Sequence, residues 1–194
     1  TIPHHVADES LPFSWEEFDQ EYTPVVEIYQ CRGNGEHPGC PKNKPLTRHN
    51  PTRFREAYID YALAEKRYKM GFIASGDHNS IGVGLAALWV EEVSRKGILE
   101  ALRSRRCFAT TGDKIFVDFI INGFMGGETL TAQSTPRISL HVESVKSIQS
   151  IEILKDSKVV KKIVPSGMRT NYTEELDAPE FHIGSSCYYY LRVI

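Results

Sequence analysis

Two short runs in this chain set imidazole beside imidazole or carboxylate at the end of an apolar stretch. Asp77 and His78 follow Gly71-Phe72-Ile73-Ala74-Ser75-Gly76, and His4 and His5 follow Thr1-Ile2-Pro3 and precede Val6-Ala7-Asp8. Neutral imidazole nitrogens and carboxylate oxygens are the donors that hold zinc, manganese and iron. In barrel metallohydrolases they sit at the C-terminal ends of strands. Taken alone, Asp77-His78 reads equally well as a loop Asp bonded to its neighbours beside a surface His. A second His-bearing strand end is harder to dismiss. Between the two lies Cys31-Arg32-Gly33-Asn34-Gly35-Glu36-His37, polar, charged and Gly-rich, as loops that form sites are.

The elements that would position these residues alternate at first. Thr1–His5 reads as the end of a strand, Pro24–Gln30 as a strand burying Val25, Val26 and Ile28, and Gly71–Ala74 as another. Ser14 with Glu17 suggests a capped short helix. Residues 37–50 form a long Pro/Lys/Asn/His loop, of a length that compact domains keep for function. Asn50-Pro51 then opens a helix to about Lys69, with Phe54, Tyr58, Tyr61, Ala62, Glu65 and Tyr68 along one stripe, mostly apolar. Gly84–Val90 predicts a buried strand. Ser94 caps a helix whose core face is Ile98, Leu99 and Leu102, and Cys107–Thr110 closes the region. Strands and helices alternating at this spacing predict an α/β fold with a mostly parallel sheet.

Near Thr111-Gly112 the pattern changes. Helical periodicity stops, Asn122-Gly123 marks a hairpin turn, and Ile138-Ser139-Leu140-His141-Val142 alternates with period two. The stretches 148–154 and 159–164 flank a Lys155–Lys158 turn, and 188–193 supplies a last strand. This half predicts a small antiparallel β-sandwich, with His141 and His182 structural or on the surface.

The 194 residues carry a formal net charge of −2 and 41% hydrophobic residues, enough apolar content for a core. Without a basic excess, a dedicated nucleic-acid binder is not expected. No run approaches the roughly 20 apolar residues of a membrane span, so no membrane partner is expected either. The four cysteines make no disulfide framework. Cys31 and Cys40 flank a loop and pair across it or stay reduced, and Cys107 and Cys187 read as small buried hydrophobes. The abrupt start and finish suggest a piece of a longer bacterial protein, cytoplasmic or exported.

With these runs in view, the chain resembles the PHP (polymerase and histidinol phosphatase) superfamily, and within it bacterial metallohydrolases related to carbamate-cleaving enzymes. The resemblance is carried by Ile2–His5, by Val25–Tyr29 with the loop after it, by Gly71–His78, by Gly97–Gly112 with its Leu-Arg-x-Arg-Arg-Cys-Phe-Ala-Thr-Thr-Gly run, and by Phe116–Phe119 with Asn122-Gly123. It implies that residues 1–112 are the C-terminal portion of a distorted β/α barrel and 113–194 the β-sandwich. It implies divalent metal ions (Zn, Mn or Fe) held by His5 or its neighbour His4, by Asp77 and by His78, with Asp77 also the catalytic proton acceptor. Glu27, Arg32 and Glu36 would face the substrate. Two departures stand out. Asp77 and His78 are adjacent where the family has Asp-x-His, with Asn79 at the expected His, and the opening His-x-His is absent. Those ligands would come from a missing N-terminal part of the same protein. The expected activity is metal-dependent hydrolysis of a phosphoester, carboxylic ester, amide or carbamate in a small-molecule substrate. The alternative is a non-catalytic binding module with a degenerate metal site and a β-sandwich that binds carbohydrate or protein.

Overall fold

The computed structural model describes residues 1–41, 51–78 and 81–194. Residues 42–50 of the expected long loop, with Asn50, and Asn79 with Ser80 lie outside the described residues. The chain divides into two compact units, Thr1–Asp113 and Lys114–Ile194.

The first unit is built on β1 (Val25–Gln30), flanked by β2 (Gly33–Asn34) and β3 (Gly71–Ala74). β2 pairs antiparallel with β1, and β3 pairs parallel to it. Val25 and Val26 are fully buried, as a strand covered on both faces requires. The β1–β3 register slips between Glu27 and Tyr29, a bulge that re-aims side chains at the strand end. Between β2 and β3 run a 3-10 turn, Arg55–Ala57, and helix α1 (Ile59–Ala64). Then β4 (Leu85–Leu88) and β5 (Cys107–Thr110) pair antiparallel around helix α2 (Arg95–Arg103).

This architecture overturns the expected β/α barrel. The chain is mainly β, in small separate sheets, with two α-helices and no closed barrel among the described residues. Several local causes are visible. Thr1–His5 is not a strand; it meets β1 through one backbone–backbone bond, from the Glu27 N–H to the Pro3 carbonyl (3.0 Å). The helix expected to Lys69 is cut at both ends. Thr52 is held extended by donating to the Ala7 carbonyl (2.7 Å), and Arg67 takes a left-handed φ of 58° that reverses the chain toward β3. Its aromatic stripe packs irregularly: the Tyr58 hydroxyl donates to the Thr52 carbonyl and the Tyr68 hydroxyl to the Trp15 carbonyl, while Phe54 is exposed. Ser14 makes no side-chain cap, and Trp15–Glu17 is a single 3-10 turn. β4 is half exposed and antiparallel rather than buried and parallel. Ser94 does cap α2, its Oγ accepting from the Gly97 N–H. The face buried there is Gly97 and Ala101, and Ile98 and Leu99 are exposed.

The second unit contains β6 (Ile115–Ile121), β7 (Arg137–Ser144), β8 (Ile151–Lys155), β9 (Lys158–Ile163), β10 (Asn171–Asp177) and β11 (Tyr189–Val193). They form two three-stranded antiparallel sheets, β10-β7-β6 and β11-β8-β9. Alternation sends Ile138, Leu140 and Val142 of β7 into one apolar cluster with Ile151 and Ile153 of β8, Ile163 of β9 and Leu176 of β10. Asp156 and Ser157 both have positive φ (48° and 64°) and close the β8–β9 hairpin, the twist that two-residue hairpin loops need.

Candidate functional site

The C-terminal ends of the parallel pair β1 and β3 open beside the turn at residues 4–10, and a small cleft lies there. His5, Asp8, Glu27, Gln30, Arg32 and Asn34 contribute to its lining. Several of these polar residues belong to a network that reaches beyond the cleft to Ser75 and Asp77 after β3. Arg32 Nη1 donates to Asp8 Oδ2 at 2.9 Å, and Arg32 Nε donates to Asp77 Oδ2 at 3.1 Å. The guanidinium thus ties the N-terminal turn to the ends of both strands. Asp8 Oδ1 accepts from the Ser10 N–H (2.8 Å) and hydroxyl (2.6 Å). Glu27 is buried with a donor on each oxygen: the His5 N–H on Oε2 at 3.1 Å and the Ser75 hydroxyl on Oε1.

The backbone at this network is strained at two of the expected site residues. His5 (φ 38°) and Asp77 (φ 58°) both sit in the left-handed region, where a non-Gly residue costs on the order of 1 kcal/mol or more and where functional sites concentrate such strain. Close packing holds the arrangement. A Cβ on Gly84 would lie 2.5 Å from the Ser75 carbonyl oxygen and 2.8 Å from its nitrogen, so only glycine lets the chain pass the end of β3.

Charge states follow from these contacts. Burial would push the Asp77 carboxyl up, but the hydrogen bond and charge of Arg32 together outweigh it and hold Asp77 below the usual range. His5 is pushed down by burial, and further by His4 and Arg32. Its ring is therefore neutral at neutral pH, the form that ligates metals. His5 Nδ1 is buried, with no partner among the described residues.

Of the residues expected to form the site, His5, Glu27, Arg32 and Asp77 are drawn into this one network. His4 stacks edge-on against His5, with ring centroids 4.1 Å apart. His78 stays at the edge: its side chain is 85% exposed, and Nε2 lies 3.7 Å from Asp77 Oδ1. Glu36 is buried one loop away, its N–H donating to Asn34 Oδ1 and its carbonyl accepting from the Asp60 N–H. Asp8, Gln30 and Ser75 belong to the network and were not among the expected site residues. Gln30 and Ser75 each lie two residues from an expected site residue and Asp8 three, and Gln30 is visible in the sequence as a polar residue closing an apolar strand. No disulfide joins any of the four cysteines; Cys31 and Cys40 are both buried thiols, while Cys107 and Cys187 are only partly buried.

Whether these groups fit a metal is decided by which donor atoms remain open. His5 Nδ1 does. Both oxygens of Glu27 already accept hydrogen bonds, and Asp77 Oδ2 and Asp8 Oδ2 are taken by Arg32. No group of three His, Cys, Asp or Glu side chains able to hold an ion exists among the described residues. The arrangement does not fit a complete metal centre.

Residues 55–145 match a protein-family profile described as a protein of unknown function, DUF3604. That match takes in β3, Asp77 and the β4–β5 pair and leaves out His5, Glu27 and Arg32. A protein of Chlamydia trachomatis serovar D, described as uncharacterized, is 28% identical over 221 aligned positions, which cover all of this chain and 35% of that protein. A Chlamydia pneumoniae protein with the same description is 27% identical with the same coverage. One from Chlamydia muridarum is 29% identical over 192 positions, 89% of this chain and 31% of its own length. The chain thus spans about a third of the length of the curated relatives it matches. No solved structure matches it.

Proposed function

We propose that the cleft at the ends of β1 and β3 is part of the reaction site of a metal-dependent hydrolase of ester-type bonds, its remaining ligands supplied by polypeptide outside these 194 residues. The observation that carries this reading is His5: a neutral, half-buried imidazole whose buried Nδ1 has no partner among the described residues, beside a carboxylate network. A divalent metal, held by His5 together with ligands from outside these residues, would supply activated water and polarise the bond to be cleaved. Residues of this chain would do the positioning. Glu27 holds the His5 backbone and the Ser75 hydroxyl, and Arg32 fixes Asp77 and Asp8 relative to each other.

A second reading is favoured by Arg32 itself. Its permanent cation lies between Asp8 and Asp77, where a metal would otherwise neutralise them. On that reading the unit is a non-catalytic binding module.

Metal content per chain and hydrolysis of p-nitrophenyl acetate and p-nitrophenyl phosphate, measured on the full-length protein and its His5→Ala variant, separate the two. The hydrolase reading expects bound metal and at least about a tenfold loss of both metal affinity and rate on removing the ligand. A metal-free, inactive full-length protein favours the binding module. Metal and rates unchanged in His5→Ala end the assignment of this cleft.

A further inference from the structure

β6 is an edge strand: among the described residues it pairs with β7 and with no other strand. An edge carries a row of backbone N–H and C=O groups open to a further strand. Which residues carry them follows from the bond at the end of the ladder. The Asn122 N–H donates to the Arg137 carbonyl at 2.9 Å. In steps of two from there, Ile120, Asp118 and Phe116 are the residues bonded to β7. Ile115, Val117, Phe119 and Ile121 turn their N–H and C=O groups the other way. Ile121 uses both on Phe124, its N–H donating at 2.9 Å and its carbonyl accepting at 3.0 Å. The open edge is therefore Ile115, Val117 and Phe119.

The other edges of this unit are guarded. β9 carries Lys158, Lys161 and Lys162 and a register slip against β8. β10 carries Glu174, Glu175 and Asp177, and β11 is shorter and carries Arg192. Such charges and bulges are how sheets turn further strands away. β6 reads Ile-Phe-Val-Asp-Phe-Ile-Ile, with one charge, no proline and an unbroken register against β7. Ile115, Phe119 and Ile121 pack against the apolar cluster, and Phe116 on the outer face is 41% exposed.

The open edge is complementary to itself. Two copies of β6 placed antiparallel about a two-fold axis at Val117 set Ile115 against the partner's Phe119 and Val117 against the partner's Val117. All the open groups are then used, because each such pair exchanges both N–H···O bonds. The outer faces match as well. Phe116 stands opposite the partner's Asp118, and the diagonal neighbours are the two Phe116 rings and Lys114 with the partner's Asp118. Diagonal neighbours lie about 7–8 Å apart, within reach of aromatic and long side chains. The two Asp118 carboxylates are also diagonal, but each stands on a single methylene and is too short to span that gap. Neither Lys114 nor Asp118 has an ion-pair partner among the described residues. An axis at Asp118 would instead set the two carboxylates directly opposite, which is destabilising. We infer that β6 docks a second copy of this chain, joining two β10-β7-β6 sheets across a two-fold axis at Val117. Such a contact closes at two copies. It is small, so the dimer is weak and fills only at high protein concentration.

The test is sedimentation equilibrium with residue-resolved hydrogen exchange on the 194-residue chain, from about 0.01 to 1 mM, where small interfaces assemble. The mass is expected to rise with concentration toward twice that of one chain and no further. Over the same range the amides of Ile115, Val117 and Phe119 are expected to exchange at least about fivefold more slowly. Those of Phe116, Asp118 and Ile120, already bonded to β7, are expected to stay level. A chain that remains monomeric at about 1 mM, or that associates without this alternation along β6, overturns the inference. Asp118→Lys, with its fold checked by its unfolding midpoint, sets cation against cation at both ends of the seam and weakens dimerisation about tenfold. Adding Lys114→Asp restores opposite charges, and the dimer with them. Equal dimerisation in wild type and Asp118→Lys, or a double variant no tighter than the single one, overturns it as well.

Discussion

Arg32 holds two carboxylates from segments far apart in sequence, and removing it would take that cation from both. Asp8 is completely buried at its side chain and Asp77 is partly buried, at 13% exposure, so Asp8 is not rehydrated without local opening. Breaking such a pair from one side costs more than the pair is worth, because a charge is stranded. Arg32→Met is expected to lower stability by about 2–3 kcal/mol at pH 7, read from urea unfolding. The pH dependence has a definite sign. Asp77 is held below its ordinary value of about 3.9. Its contribution is therefore present above that value and is lost as pH falls through the lowered one. The gap between wild type and Arg32→Met should stay level from pH 7 to about 4.5 and narrow below about 4. A gap that is constant down to pH 2 would show that Asp77 is not held by Arg32. His5 runs the other way in origin. Its lowered value means that the unfolded chain takes up a proton first as pH drops below about 6.5, so stability falls there, and a histidine titration by NMR should find His5 below its ordinary value.

Among the elements, the passage of β4 past β3 is the tightest constraint on the site. Gly84→Ala would put a methyl against the Ser75 backbone, and backbone atoms cannot rotate away. The expected cost is about 1–3 kcal/mol in urea unfolding, as for other overpacked positions. Because Ser75 donates to Glu27, its amide signal and that of His5 should move as well. An unchanged spectrum would place the two backbones farther apart than described. How much of this was readable in the sequence differs element by element. β1 and β3 announced themselves through Val25-Val26 and Phe72-Ile73, and α2 through its Ser94 cap, because these signals are local. The antiparallel pairing of β4 with β5 was not readable, since period and composition do not carry strand direction. The short α1 was hidden for a similar reason: its stripe of aromatics is helical in spacing, but the Thr52–Ala7 bond and the reversal at Arg67 are tertiary. β10 escaped notice because Asn171–Asp177 is polar on its outer face and has one fully buried residue, Leu176. At the site, His5, Glu27, Arg32 and Asp77 were legible as chemistry-bearing types. Their mutual bonding was not, because it depends on a turn and a bulge that no spacing encodes.

At the scale of the whole molecule, two units with separate internal organisation share the chain. The second unit owes its order to the β7–β8 cluster, in which Leu140 is fully buried among Ile138, Val142, Ile151 and Ile153. Leu140→Ala is expected to cost about 2–5 kcal/mol, the transfer of the lost methyl groups plus the cavity they leave. Hydrogen exchange should show the loss at the amides of β7 and its neighbours β6 and β10. A change under about 1 kcal/mol would mean that the cluster is loosely packed. On the same unit, Glu152 is buried away from the cluster between Lys162 (2.9 Å) and Arg192 (2.7 Å). Burial pushes its carboxyl up, and the two cations together pull it below its usual range. It therefore adds to the acid sensitivity already expected from Asp77, through a different sheet.

The apolar side of α2 has a consequence for handling this chain as a substance. Ile98 and Leu99 are 39% and 44% exposed, and Val93, just before the cap, is 89% exposed. Neighbouring greasy side chains in water lower the colloidal stability of a solution, all the more when net charge is small. With a formal charge of only −2, molecules of this chain repel one another weakly. Light scattering should therefore rise steeply with protein concentration and fall back on addition of a mild detergent. Ile98→Lys with Leu99→Lys should abolish the rise without altering the unfolding midpoint by more than about 0.5 kcal/mol, as surface changes do. Scattering that the double variant leaves untouched would locate the stickiness elsewhere on the surface.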